Sequence, residues 1–312
     1  MKILVTGGAG FIGSHVVEAL AARGDEPAIL DEFNDYYDVS IKRRNAADTC
    51  ARVFEGDLRD EAFVLATLRQ FQPDAVVHLA ARAGVRPSLE DPQLYVATNL
   101  TGTLNLLDAM VEIGCKKLAF ASSSSVYGNN PKVPFSEEDP IPNLISPYAI
   151  TKLAGEHLCS VYASLHGMSI SGLRFFTVFG PRQRPDLAIA KFATLINEGH
   201  PISVYGDGST SRDYTYIADV VSGVLASLDR LKPGFRAYNL GGDHPVSLSE
   251  MITIIERVVG KPAIIDRLPM QPGDVERTSA DLTRSKTELG YNPSVSFEEG
   301  IRRFWACHKP IH

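Results

Sequence analysis

The sequence predicts an α/β fold: a doubly wound parallel sheet with a smaller α/β lobe. Three observations carry this. Short continuous apolar runs recur through the first half, at residues 3–5, 28–30, 53–54, 75–79, 118–121 and 170–176. Helical patterns lie between them, such as residues 12–23 and 94–113. A glycine-rich turn joins the first run to the first helix. Strands that are apolar throughout and separated by helices read as a parallel sheet covered on both faces. Right-handed crossovers then wind the chain both ways from its centre.

Taken in order, Lys2-Ile3-Leu4-Val5 is the first strand, and the pattern after Ile12 is the helix that follows it. The second strand ends at Asp31, the third precedes Asp57 and the fourth ends at Leu79-Ala80-Ala81. The fifth strand leads into a serine run, Ser122 to Ser125. Beyond about Arg174 the rhythm breaks, and prolines and glycines thicken at Gly180-Pro181-Arg182-Gln183-Arg184-Pro185. A strand and an apolar helix near residues 213–228 read as a return to the first lobe. The expected division is residues 1–175 plus about 214–242 for the first lobe, and about 176–213 plus 243–312 for the second.

A chain of 312 residues with 44% hydrophobic composition can bury a large core. With 31 basic and 37 acidic residues the net charge is −6, and no strongly basic segment stands out, so nucleic acid is not an expected partner. Lys42-Arg43-Arg44 reads as a solvated helix face. Cys50, Cys115, Cys159 and Cys307 form no CxxC pair and fit no metal spacing, which suits reduced thiols in the cytoplasm. No secretory leader pattern opens the chain, and no apolar run reaches the roughly 20 residues that span a bilayer, so no membrane association is expected.

The turn Gly7-Gly8-Ala9-Gly10-Phe11-Ile12-Gly13 lies between a strand and a helix, the context a dinucleotide pyrophosphate requires. Glycine permits close backbone approach, and the helix N-terminus offers free N–H groups to the phosphates. Asp31 stands where a carboxylate accepts from an adenosine ribose diol and repels a 2′-phosphate, which favours NAD over NADP. Asp57 and Leu58 are candidates for the adenine side, with an ordinary turn aspartate as the alternative. Leu79, Ala80 and Ala81 end a strand with small residues that admit the cofactor, and Asn99 and Ser122 complete the cofactor set.

Tyr148 and Lys152 are four residues apart, so on a helix they share a face. A free tyrosine has a pKa near 10 and is a poor base at neutral pH. A nearby ammonium and the positive nicotinamide ring favour its phenolate, which brings it closer to useful base strength.

These segments together resemble the extended short-chain dehydrogenase/reductases, whose Rossmann-type fold serves nucleotide-sugar epimerases, dehydratases and decarboxylases. The resemblance runs nearly end to end, through TGGAGFIGSH, HLAARAGVRPS, ASSSSVYG, SPYAITKLAGE, LRFFTVFGP, RDYTYIADV and YNLGG. It implies that Ser123 is the catalytic hydroxyl beside Tyr148 and Lys152, and that Ser124 and Ser125 line a sugar pocket. Family dehydratases resemble Thr-Asp-Glu at these three positions, and the decarboxylases carry Glu before Val-Tyr-Gly. The serines here fit neither and leave epimerisation.

Within the family, Thr177, Arg184, the Asn34-Asp35-Tyr36-Tyr37 segment and Ala83-Gly84-Val85-Arg86 resemble UDP-glucuronate 4-epimerases. That resemblance implies that Thr177 and Arg184 grip a sugar carboxylate, with Arg182 as a less well matched competitor. A guanidinium suits the task because it donates paired hydrogen bonds to a carboxylate. Arg212 and Arg86 are candidates for the UDP diphosphate, Val204 for the strand past the uracil, and Asp274 for the ribose. The expected reaction is C4 epimerisation of UDP-glucuronate with bound NAD. A neutral UDP-hexose epimerase and a catalytically silent NAD-binding regulator remain alternatives. The resemblance implies a homodimer, for which the apolar helical segments 94–113 and 148–165 offer a four-helix contact, with burial in the core as the equal alternative.

Overall fold

The computed structural model describes residues 1–141, 143–269 and 276–308. Seven parallel strands form the main sheet: β1 (Lys2–Thr6), β2 (Glu26–Asp31), β3 (Arg52–Glu55), β4 (Ala75–His78), β5 (Lys117–Ser123), β6 (Ser169–Phe175) and, later in the chain, Gly234–Leu240. Their order is Gly234–Leu240, β6, β5, β4, β1, β2, β3. The order reverses between β1 and β4, so the loops after these two strands open a crevice at the sheet's carboxyl edge.

Successive strand residues point to opposite faces. Ile3 and Val5 therefore enter one buried cluster with Val16, Val17 and Leu20, whereas Leu4 enters the other with Leu68, Leu106 and Met110. Both faces being apolar explains why the strands read as unbroken hydrophobic runs. Each such side chain contributes on the order of 1.5–3 kcal/mol by leaving water, so the central strands form a rigid platform.

The expected helix over 94–113 is divided. It runs as Pro92–Val96, a π turn at Ala97–Thr101, and Gly102–Ile113. Asp91 caps its start by accepting from Leu94 N. The wider turn coincides with Asn99, whose side chain is engaged across to the neighbouring loop and helix.

The second lobe contains β7 (Thr177–Phe179), β8 (Pro201–Tyr205), β9 (Ser211–Tyr216), β11 (Pro245–Ser247) and β12 (Ile264–Leu268), with Gly234–Leu240 as β10 of the chain. These second-lobe strands form a three-stranded sheet, β11-β9-β7, and a pair, β12-β8. The strand expected to return to the first lobe near residue 213 does not. It is β9, paired with β7 and β11, and Asp213 on it accepts from Gly242 N and Ala280 N. The return begins with the helix Ile217–Asp229, whose buried face packs on the helix Phe11–Ala22 and on β5 and β6, followed by β10.

Candidate active site

A cavity of about 350 Å³ opens at the carboxyl edge of β1, β2, β4 and β5 and extends to the second lobe. Gly7, Gly10, Phe11, Ile12 and Gly13 form its floor. Gly7 has φ +69°, and a Cβ there would stand 2.7 Å from Ala80 N. A Cβ on Gly13 would stand 2.1 Å from Gly7 O. Glycine is therefore required at both positions by backbone against backbone. Gly10 caps the helix Phe11–Ala22, which has no acidic residue in its first turn, so its positive end is uncompensated. Beneath, Thr6 Oγ1 receives Ala80 N at 3.2 Å and pairs with buried His78 at 2.6 Å, which ties the ends of β1 and β4 together.

Asp31 lines the next stretch. Its carboxylate accepts from Ala9 N at 3.1 Å and Phe33 N at 2.9 Å, so its position is set jointly by the glycine turn and by the loop that follows β2. Burial raises its pKa while these two bonds oppose the rise. Asp57, Leu58, Leu79, Ala80, Ala81 and Ser122 also line the cavity. Asp57 serves its turn as well, accepting from Arg59 N and side chain, and that pairing holds its carboxyl low against desolvation. These residues and the uncompensated helix end suit a dinucleotide with an adenosine diol.

At the other end stand Ser123, Tyr148 and Lys152. Ser123 is the last residue of β5, and its Oγ accepts from Ser125 N at 3.1 Å. Tyr148 and Lys152 lie on the helix Pro147–His166, which starts there because Ser146 accepts from Ala149 N and Pro147 takes the first helical position. Burial pushes the Tyr148 hydroxyl above its usual value, and a hydrogen bond with Ser123 opposes that. Lys152 is buried, donates to Ala121 O at 2.7 Å, and is pushed down by desolvation to about 8. Tyr148 also meets the Tyr95 ring edge-on, with centroids 6.2 Å apart.

Thr177 and Arg184 line the same cavity from the second lobe. Arg182 does not. It turns to Glu18 at 2.6 Å on the helix Phe11–Ala22, so of the two arginines Arg184 lines the cavity.

Several expected site residues lie outside the cavity lining. Asn99 is buried behind the wall, bonding Arg82 N, Arg82 O and Thr151 Oγ1, so it braces the cavity without lining it. Ser124 and Ser125 lie in a short 3₁₀ turn outside the lining, with Ser125 Oγ 3.0 Å from Ser123 Oγ. The Val204 side chain is 1% exposed in the core, so β8 offers a ligand only its backbone and alternate residues. Arg86 sits outside the lining over the Tyr205 ring, 5.2 Å from its centroid. Arg212 is likewise outside, with Nη1 donating to Ser211 O. Asp274 lies outside the described residues.

Other lining residues escape the sequence reading. Lys42 is 5% exposed, because residues 42, 45 and 46 form the inner face of the helix Val39–Thr49, while Arg43 and Arg44 face out. Its Nζ donates to Asn34 O and Oδ1. A helical-period reading of that basic triplet separates it from its neighbours. Tyr36 and Tyr37, within a segment that carries the family resemblance, and Arg82, within the HLAARAGVRPS motif, also line the cavity, though the sequence assigned them no role.

Behind the catalytic end lies a buried ion pair. Arg174 on β6 donates twice to Glu156, at 2.9 and 2.7 Å, and once to Tyr127 Oη at 3.0 Å. Ser122 Oγ donates to the same carboxylate. Removing one partner strands a buried charge, so Glu156→Ala is expected to cost about 3–5 kcal/mol, and replacing both by apolar residues less. Denaturant unfolding of both variants checks this, and a double variant weaker than the single would contradict it.

The NAD dependent epimerase/dehydratase family profile matches residues 3–241. A UDP-glucuronate 4-epimerase of Thermodesulfobacterium geofontis (strain OPF15) is 44% identical over 306 residues, covering 96% of this chain and 94% of the relative. A Bacillus cereus UDP-glucuronic acid 4-epimerase solved with UDP-glucuronic acid and NAD superposes with a TM-score of 0.93 at 37% identity, covering 99% of each chain. A Thermus thermophilus UDP-glucose 4-epimerase solved with NAD gives 0.91 at 38% identity, also covering 99% of each. The chain belongs to the NAD dependent epimerase/dehydratase family.

Proposed function

We propose that this protein is an NAD-dependent UDP-glucuronate 4-epimerase that interconverts UDP-glucuronate and UDP-galacturonate through a 4-keto sugar. The supporting observation is a single cavity whose wall includes the glycine turn with Asp31, the Ser123–Tyr148–Lys152 group, and Thr177 with Arg184. Similarity to relatives that bear this activity supports the same substrate.

Bound NAD supplies a reversible acceptor for the hydrogen at sugar C4. Tyr148 takes the O4 proton as that hydrogen leaves and returns it once the sugar has turned over. Ser123 orients O4, and the Lys152 ammonium stabilises the phenolate. Thr177 and Arg184 hold the sugar carboxylate, which keeps the breaking bond of the β-keto acid out of line with the ketone and suppresses loss of CO₂. Arg86 and Arg212, which lie outside the cavity lining, and Asp274 are assigned to the UDP moiety on the family resemblance alone, and Ser125 bonds Ser123.

Incubation with a panel of UDP-sugars, read by chromatography without added cofactor, tests the reading. UDP-galacturonate from UDP-glucuronate is expected. Turnover of UDP-galactose alone would favour a neutral-hexose epimerase, the reading that the Thermus relative supports. Absence of any turnover would favour a silent NAD-binding protein. Because Asp31 opposes a 2′-phosphate, NAD should bind at least about tenfold tighter than NADP. Equal affinities in calorimetry would remove Asp31 from that role.

The four unpaired cysteines support a cytoplasmic setting, and among the described residues no helix is long and apolar enough to cross a membrane. Val96, Leu104, Ile150, Val161 and Leu165 are exposed on the two helical segments expected to pair, which supports a symmetric homodimer. Sedimentation at a monomer mass would refute that.

A further inference from the structure

Arg184 already has a carboxylate. Its Nε donates to Asp186 Oδ1 at 2.9 Å and its Nη2 to Asp186 Oδ2 at 2.7 Å. The guanidinium carbon lies 5.0 Å from the Tyr36 ring centroid. Tyr36 is fixed in turn, since its hydroxyl donates to Ala83 O at 3.1 Å. Tyr95 donates to the same carbonyl at 3.0 Å, and its ring edge meets Tyr148. Arg184 and Tyr36 line the cavity, whereas Asp186 does not.

We propose that Asp186 and Tyr36 are specificity-determining positioning residues that hold Arg184 as a preformed receptor for the substrate's carboxylate. The inference rests on the uronate reading above. A guanidinium has five N–H donors. Asp186 takes the Nε–Nη2 edge and leaves the Nη1–Nη2 end for a second carboxylate. The aromatic face of Tyr36 holds the plane of the fork. With orientation set before binding, the uronate does not have to order a long, flexible side chain. The Asp186 side chain is 45% exposed, so the pair adds little to folding stability, and its geometry is what the site uses. Burial lowers and Asp186 raises the Arg184 pKa, with a net rise, so the receptor stays charged.

Two edges of one cation then carry two carboxylates of different origin. A neutral hexose finds Arg184 already paired and gains nothing from it. Selectivity therefore arises from the unoccupied end of the fork and not from an unpaired charge. The route from Asp186 through Arg184, Tyr36, Ala83 and Tyr95 also ends at the catalytic tyrosine, so the carboxylate subsite and the reacting centre share one braced wall.

The test measures binding of UDP-glucuronate and UDP-glucose to the NAD-loaded parent, Asp186→Asn, Arg184→Ala and the double variant, with steady-state kinetics on UDP-glucuronate. Asp186→Asn keeps the shape but removes the paired acceptor. It should weaken UDP-glucuronate about tenfold, the factor expected from ordering one long side chain on binding, with KM rising more than kcat falls. UDP-glucose affinity should stay unchanged, and the substitution should add no further loss on the Arg184→Ala background. Unchanged or tighter uronate binding by Asp186→Asn, or equal weakening of both nucleotides, overturns the inference. If Arg184→Ala itself retains the discrimination between the two nucleotides, the uronate-clamp reading falls as well. If only Asp186→Asn retains it, that reading stands and this inference alone fails.

Discussion

Tyr148→Phe is expected to lower turnover by about two orders of magnitude or more while leaving UDP-sugar binding largely intact. The substitution removes one oxygen and keeps the ring that meets Tyr95, so the wall should hold its shape. On the proposed mechanism, what is lost is the proton acceptor for O4. In the protein alone, burial raises the Tyr148 pKa. Lys152, at about 8, is mostly protonated at neutral pH, and the positive charge of the oxidised cofactor adds to its field. On the proposed mechanism the bound positive ring would favour the phenolate, so the base is expected to form in the loaded enzyme. Paired measurements of turnover and calorimetric binding separate the effects. Near-parental turnover would show that Tyr148 is not the base, and a matching loss of affinity would make it a binding residue.

Arg184→Ala should weaken UDP-glucuronate far more than UDP-glucose, by about 2–5 kcal/mol, because the bound carboxylate loses a charge-assisted partner in a site of restricted water. The same change frees the carboxylate of the 4-keto intermediate. A β-keto acid loses CO₂ when its C–C bond aligns with the ketone π system, so a UDP-pentose side product is expected. Binding of both nucleotides to parent and variant, with mass analysis of products, checks both parts. An equal loss for the two nucleotides would assign Arg184 to the UDP moiety or to the fold.

The cofactor end is nearly complete in the linear chain. Gly7 and Gly13 are demanded by contacts within the turn and with the adjacent strand end, and Asp31 is fixed by N–H groups of the same neighbourhood. Ser146, Pro147, Tyr148 and Lys152 announce one helix start, where capping and four-residue spacing act over short distances. The substrate end is less legible. Strand and motif point to Val204 and Arg86, yet one faces the core and the other stacks on Tyr205. Lys42 reads with its exposed neighbours although helical phase turns it inward.

What local sequence sufficed to establish is the parallel sheet, its glycine turn, the tyrosine–lysine pair and the order of the strands' helical connections. These follow from backbone sterics, side-chain alternation and hydrogen bonds spanning a few residues. Packing between distant segments settled the remainder: Arg184 over Arg182 in the cavity wall, the burial of Glu156 against Arg174, and the membership of β9 in the second lobe. Each depends on which faces of separate elements are brought together, and no spacing along the chain encodes that distance.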